Sequence, residues 1–132
     1  MTHPAKATVW IPKVLTDYEV GRSVSAIETI ARSDKPVAEV GCQQVILADL
    51  EDDLAECLKL ANVVPEVRFW TKASGVRFRY GFYKEAWVLG ALDFLDRAQL
   101  GETERAWISG LLFGYRSGAI QQYIARESGS VK

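Results

Sequence analysis

The chain has 132 residues, of which 48% are hydrophobic and 25% charged, and its formal net charge is −1. This length is typical of one domain, so we expect residues 1–132 to fold as a single unit with frayed ends at about 1–6 and 128–132. The near-zero net charge excludes a global field that attracts polyanions. Any affinity for nucleotides or nucleic acids would therefore need a local basic patch.

Two features of the sequence bear on the cellular setting. The N-terminal residues have no apolar run behind their charges, and no stretch approaches the ~18 uncharged apolar residues of a membrane span. The cysteines Cys42 and Cys57 form no CxxC pair, and we interpret both as reduced thiols that fill the core. The sequence therefore predicts a cytoplasmic protein without a membrane partner.

The N-terminal third predicts a strand followed by a helix. Residues 7–11 have the composition of a short strand, which Pro12 would end. Thr16 or Asp17 is a suitable N-cap, and apolar residues at helical spacing follow. This pattern predicts an amphipathic helix over residues 17–32.

A hairpin and a second helix are predicted next. Short apolar runs at 37–40 and 43–48 flank Gly41, which suggests two strands joined by a turn. Asp49 is the N-cap candidate of a helix that ends near Asn62.

The clearest strand signal is a second hairpin, formed by residues 66–71 and 76–80 around a loop at 72–75. With Thr71 opposite Val76, the apolar side chains fall on one face of the sheet and point inward. The other face would carry four residues that we call the basic hairpin face: Arg68, Trp70, Arg77 and Arg79. Like charges opposite each other disfavour strand pairing, which suggests that an anion or a carboxylate lies against them.

Two interpretations of the basic hairpin face remain open. In the first, the arginines bind phosphate while an exposed Trp70 stacks on a base, and Lys72 and Lys84 extend the patch. The ligand would then be an anionic small molecule, a nucleotide or a nucleic acid. In the second, the acidic segment 49–56 packs over the hairpin and Trp70 stacks against Arg77. An acidic surface of a partner protein would satisfy the same charges.

Three helices are predicted at about 82–98, 103–113 and 118–127, separated by Gly101 and Gly114. The first two are apolar over most of their circumference. Helices of this kind are buried either in the core or in a subunit interface, so a homo-oligomer is a further expectation.

The last two helices also fit a helix-turn-helix template. Gly110, Gly114, Ile120 and Tyr123 supply the small residue, the turn glycine and the two apolar residues that such a unit requires. The residues facing outward, which would contact DNA or a partner, are Arg116, Ser117, Gln121, Gln122 and Arg126. A plain αα-corner needs the same glycines, so both readings stay open.

The sequence gives little support for a catalytic or metal-binding site. His3 is the single histidine, which excludes Ser-His-Asp, Cys-His and most zinc arrangements. The acidic run from Asp49 resembles a calcium loop but has Leu54 where glycine is needed. No phosphate-binding or nucleophile-elbow motif is present. We predict a non-enzymatic protein with no metal and no cofactor.

Together these patterns predict an α+β fold. Its small antiparallel sheet would be built from two β-hairpins and an N-terminal strand, with helices packed on one face and a C-terminal helical hairpin. The leading functional hypothesis is capture of an anionic ligand on the basic hairpin face. The alternatives are a small accessory or inhibitor protein, of the kind phages carry, that acts through its C-terminal helices, and a helix-turn-helix regulator.

Overall fold

A computed structural model describes residues 9–114 and 117–129. Its three strands form one antiparallel sheet in the order β1-β3-β2. This confirms the predicted α+β class with a small antiparallel sheet and a pair of C-terminal helices. The elements in chain order are α1 (Asp17–Arg32), β1 (Val37–Gln43), α2 (Leu47–Ala61), β2 (Arg68–Ser74), β3 (Arg77–Tyr83), α3 (Trp87–Arg97), α4 (Glu102–Leu112) and α5 (Ser117–Gly129).

Helix α1 has the bounds that its sequence predicts, because a capping box fixes its start. The Glu19 N–H donates to Thr16 Oγ1 at 3.2 Å, and the Thr16 N–H donates to Glu19 Oε1 at 2.9 Å. Ile27 and Ile30, on the same side of the helix, are fully buried. The capping box and the apolar stripe therefore predict the same helix.

The predicted first hairpin is wrong, because β1 is one strand that pairs with β3 along its whole length. The register shifts between Glu39 and Gly41. Gly41 is needed for close packing rather than for a turn, since a Cβ there would lie 2.8 Å from Tyr80 Oη. The second apolar run leads into α2, which begins at Leu47, before the predicted N-cap Asp49.

The predicted N-terminal strand is also wrong for the residues that the structure describes. Residues 9–11 have no strand pairing, and residues 7–8 lie outside the described part. The chain instead passes over α2, where the Asp53 carboxylate accepts hydrogen bonds from the N–H groups of Lys13, Val14 and Leu15 at 2.8–3.0 Å. The buried Asp53 carboxylate thus accepts backbone hydrogen bonds that a neighbouring strand would accept in a sheet.

The second hairpin exists, but its register differs from the prediction. Thr71 lies opposite Tyr80 rather than Val76, because Gly75 and Val76 form a two-residue turn. Gly75 has φ +62°, while the φ of Val76 is not positive, which fits a type II′ turn. The shift by an even number of residues leaves each side chain on its predicted face of the sheet.

Helices cover both faces of the sheet, not one as predicted. Helices α1 and α2 pack on the face that holds Phe69, Tyr80 and Phe82. On the opposite face, α3 encloses a second core, which we call the α3 core. Its buried members are Val37, Trp70, Tyr83, Val88, Leu92, Leu95 and Leu112.

The ends of the C-terminal elements differ slightly from the prediction. Helix α3 starts at Trp87 because residues 82–83 complete β3. Helix α5 continues to Gly129, while residues 1–6 and 130–132 of the ends predicted as frayed lie outside the described part. None of the described helices has the length and apolar character needed to cross a membrane.

Candidate functional site

Trp70 is buried in the α3 core, contrary to the prediction of an exposed stacking platform. Its exposed fraction is 3%. The indole Nε1 reaches across β3 and donates to the Ala38 carbonyl oxygen at 3.2 Å. The Arg79 guanidinium, rather than that of Arg77, lies over the ring at 5.7 Å. A base cannot stack on this side chain without opening the core.

Arg79 of the basic hairpin face and Lys72, which was predicted to extend it, belong to an ion-pair network within the molecule. Arg79 binds Glu39 of β1 at 2.6 Å and Asp96 of α3 at 3.5 Å. Lys72, which lies opposite Arg79 in the ladder, donates to Asp93 and lies 3.2 Å from Asp96. The network joins β1, the hairpin and α3. It explains why two cations can face each other across the strands.

The protonation equilibria agree with this geometry. Burial opposes the charge of Lys72, but hydrogen bonds to Asp93 and Asp96 more than offset it, so the pKa of Lys72 lies above its ordinary value. The hydrogen bond that the Arg79 guanidinium donates to Glu39 likewise raises the pKa of Arg79. Lys72 in turn lowers the pKa of Asp93. Each of these three shifts in pKa favours the charged form of the residue.

The acidic segment 49–56 does not cover the hairpin, so that interpretation is wrong. Asp52 pairs with Lys13 at 2.6 Å, and Asp53 is the buried acceptor of the backbone before α1. Glu56 pairs with Lys59 on the same helix at 3.1 Å. The carboxylates that pair with the hairpin come instead from β1 and α3. Because these are separate elements, residue spacing in the sequence does not predict the pairing.

The other predicted ligand residues are not gathered into one site. The Lys84 ammonium donates to the carbonyl oxygens of Ile30 and Ser33 at the end of α1, where a cation is favourable. Arg68 is exposed and lies 3.7 Å from Glu66. Arg77 is exposed beside the hairpin turn.

The corner between α4 and α5 has the close crossing that the helix-turn-helix template predicts. A Cβ on Gly110 would lie 2.5 Å from Ile120 Cγ1, so only glycine permits the contact. Gly114 has φ +81°, and Ile120 is buried, whereas the fourth template residue, Tyr123, is half exposed.

The outward residues of this corner are only partly described. Gln121, Gln122 and Arg126 are exposed on α5. Ser117 begins α5, but its side chain and the whole of Arg116 lie outside the described part. On α4, Glu102 and Glu104 are exposed. The guanidinium of Arg105 is held by the carbonyl oxygens of Leu95 and Ala98.

The C-terminal helices expose an unusual amount of apolar surface, which we call the outer apolar face. Val88, Leu92 and Leu95 of α3 are buried against the sheet, yet Trp87 and Phe94 of the same helix are 57% and 49% exposed. The apolar all-round pattern of α3 in the sequence was the signal for this surface. Its large members are Trp87, Phe94, Ile108, Leu111 and Tyr123.

Other parts of the molecule offer little reactive chemistry. Among the described residues, no three His, Cys, Asp or Glu side chains are grouped so as to hold a metal ion. Burial raises the pKa of the Cys57 thiol to about 11, which keeps it protonated at neutral pH. An open groove of about 510 Å³ runs between α1 and β1, with Asp17, Arg22 and Lys35 among its lining residues.

Comparisons with protein-family models, with curated proteins and with solved structures gave no match. The class that the structure itself defines is a three-stranded antiparallel sheet with helices on both faces and an exposed apolar surface on its C-terminal helices.

Proposed function

We propose that the chain is a non-enzymatic protein-interaction module that buries the outer apolar face against an apolar surface of another polypeptide. The observation that supports this is the two-sided character of α3. One side of this helix fills the α3 core, while Trp87 and Phe94 on another side face solvent. Large apolar side chains that are exposed together on one side of a helix often mark a surface that contacts another protein.

The network under α3 supports the same proposal. Lys72 and Arg79 hold Asp93 and Asp96, so α3 is fixed on the sheet by ion pairs as well as by its core side chains. A fixed helix presents its outer side chains with little loss of conformational entropy on binding, and large aromatic side chains often dominate binding energies.

Anion capture on the basic hairpin face has weaker support. The face was predicted to offer a stacking Trp70 with free cations around it, but Trp70 is buried and Lys72 and Arg79 have carboxylate partners. Only Arg68 and Arg77 of the original set are well exposed. Two arginines without an exposed aromatic side chain for stacking would contribute little binding energy toward a phosphate-bearing ligand.

Site-specific photocrosslinking in the producing cells tests the proposal. A benzophenone side chain at Phe94 or Trp87 is expected to give an adduct of discrete mass, because these positions lie inside the interface. The same group at Val76, an equally apolar residue that is 72% exposed on the hairpin turn, is the matched control and should give none. Absence of an adduct at both helix positions, or an equal adduct at Val76, would contradict the proposal.

A second candidate function is contact of α5 with duplex DNA. The close approach of Gly110 to Ile120 and the positive φ of Gly114 support it, since a helix-turn-helix unit needs a small residue and a turn glycine at these points. The exposed acids Glu102 and Glu104 make it the weaker candidate, because phosphate contacts need cations.

A mobility-shift titration at low salt with mixed-sequence duplex DNA tests this second candidate. The wild-type chain should retard the duplex, and joint replacement of Gln121 and Gln122 by alanine should weaken binding about tenfold or more. Gln43→Ala, in β1, is a control that should bind like the wild type. If the wild-type chain leaves the duplex unretarded at low salt, α5 is no DNA-reading helix.

A further inference from the structure

We infer that the polypeptide which covers α3 is a second copy of this chain, with the two α3 helices packed antiparallel about a two-fold axis near Gly90. This inference rests on the proposed function and identifies its partner. It follows from the order of large and small residues along the exposed side of α3.

The exposed side of α3 is self-complementary. Trp87 and Phe94 are seven residues apart, so they lie on the same side of the helix, about 10 Å apart along its axis. Gly90 and Ala91 occupy the midpoint between them. A two-fold axis through this midpoint places Trp87 of one copy against Phe94 of the other, and the same contact recurs on the opposite side of the axis.

Gly90 lets the two helices approach closely at the axis. It is exposed, and a Cβ built on it would meet no atom within 4 Å. Nothing inside the described part of the chain therefore requires glycine at this position, although glycine is a poorer helix former than alanine. A close helix crossing with a partner can use this open position, because the aromatic pairs on either side of it would interdigitate across the axis.

Charges at the two ends of α3 favour the antiparallel arrangement. Exposed Glu85 precedes the helix, and exposed Arg97 lies in its last turn. Antiparallel packing brings Glu85 of one copy towards Arg97 of the other. Lys84 does not compete, because its ammonium is bound at the end of α1. With a net charge of −1 per chain, two copies repel each other weakly.

Sedimentation velocity over a range of concentrations tests the pairing with a variant that should fold well. Gly90→Leu adds a good helix former in open space, so its melting temperature as a monomer should equal or exceed that of the wild type. The side chain would block the crossing, and the association constant should fall by about tenfold or more. Gly21→Leu is the matched control, because Gly21 also lies in a helix with no atom within 4 Å of its Cβ site. This control should dimerise like the wild type.

Engineered disulfides test the position of the axis. In a Cys42→Ser background, Gly90→Cys should form a dimer-linking disulfide under mild oxidation, whereas Leu89→Cys, exposed on another side of α3, should not. A monomeric wild type, or a Gly90→Leu protein that dimerises normally, would overturn the two-fold pairing. If photocrosslinking at Phe94 then yields an adduct with a different protein, the interaction function stands and only self-pairing is wrong. If neither Phe94 nor Trp87 yields an adduct, both are wrong.

Discussion

Replacing Asp53 with alanine is expected to lower the free energy of unfolding by about 3 kcal/mol or more. The Asp53 side chain is fully buried and accepts hydrogen bonds from three consecutive backbone N–H groups, those of Lys13, Val14 and Leu15. Alanine would leave these donors without an acceptor and would open a cavity beside α2. Urea denaturation followed by circular dichroism measures the loss.

The neighbouring residue Asp52 provides the matched control. Its carboxylate is exposed and pairs only with the Lys13 ammonium among the described residues, so Asp52→Ala should cost no more than about 1 kcal/mol. Asp53→Asn keeps one acceptor oxygen and should fall between the two. Equal destabilisation by Asp52→Ala and Asp53→Ala would show that the backbone hydrogen bonds to Asp53 contribute little.

Gly81→Ala is expected to be at least as damaging, with a loss of about 3 kcal/mol or more, or with no folded protein recovered. A Cβ at Gly81 would lie 1.8 Å from the Ala38 carbonyl oxygen, which is a backbone atom and cannot rotate away. The same carbonyl oxygen accepts the hydrogen bond of the Trp70 indole, which passes over Gly81 in the middle strand. The methyl group would therefore separate β1 from β3 and open the α3 core.

Thermal and urea unfolding of Gly81→Ala should be compared with Gly21→Ala. Gly21 lies in α1 with open space around its Cβ site, so alanine there should raise stability by about 0.5–1 kcal/mol. Unfolding of Gly81→Ala at the same urea concentration as the wild type would mean that β1 can move away from β3 at low cost.

Local signals in the sequence accounted for much of the secondary structure. The capping box at Thr16 and the apolar stripe over α1 are contained within one helix, so the predicted bounds 17–32 agree with the structure. The alternation along β2 and β3 also fixed which side chains share a face. The register was missed because a type II′ turn at Gly75 and a longer loop satisfy the same alternation.

The predicted site failed where it depended on contacts between distant residues. Alternation placed Trp70 and the arginines on one face, but it cannot tell a solvent-facing side of a sheet from one that a second helical layer covers. The partners of Lys72 and Arg79 were also out of reach, since Glu39, Asp93 and Asp96 come from β1 and α3. Asp93 and Asp96 have the spacing of an ordinary solvent-facing stripe on a helix.

The sequence by itself determined the α+β class, the course of α1, the faces of the second hairpin and the two-sided apolar character of α3, because each follows from spacing within one element. Only the tertiary structure decided that Trp70 of the basic hairpin face is buried and that Trp87 and Phe94 are exposed. The reason is that burial is a property of packed layers. The side of α3 that faces the sheet is set by where the chain places α3 after β3, and the remaining apolar side is then exposed.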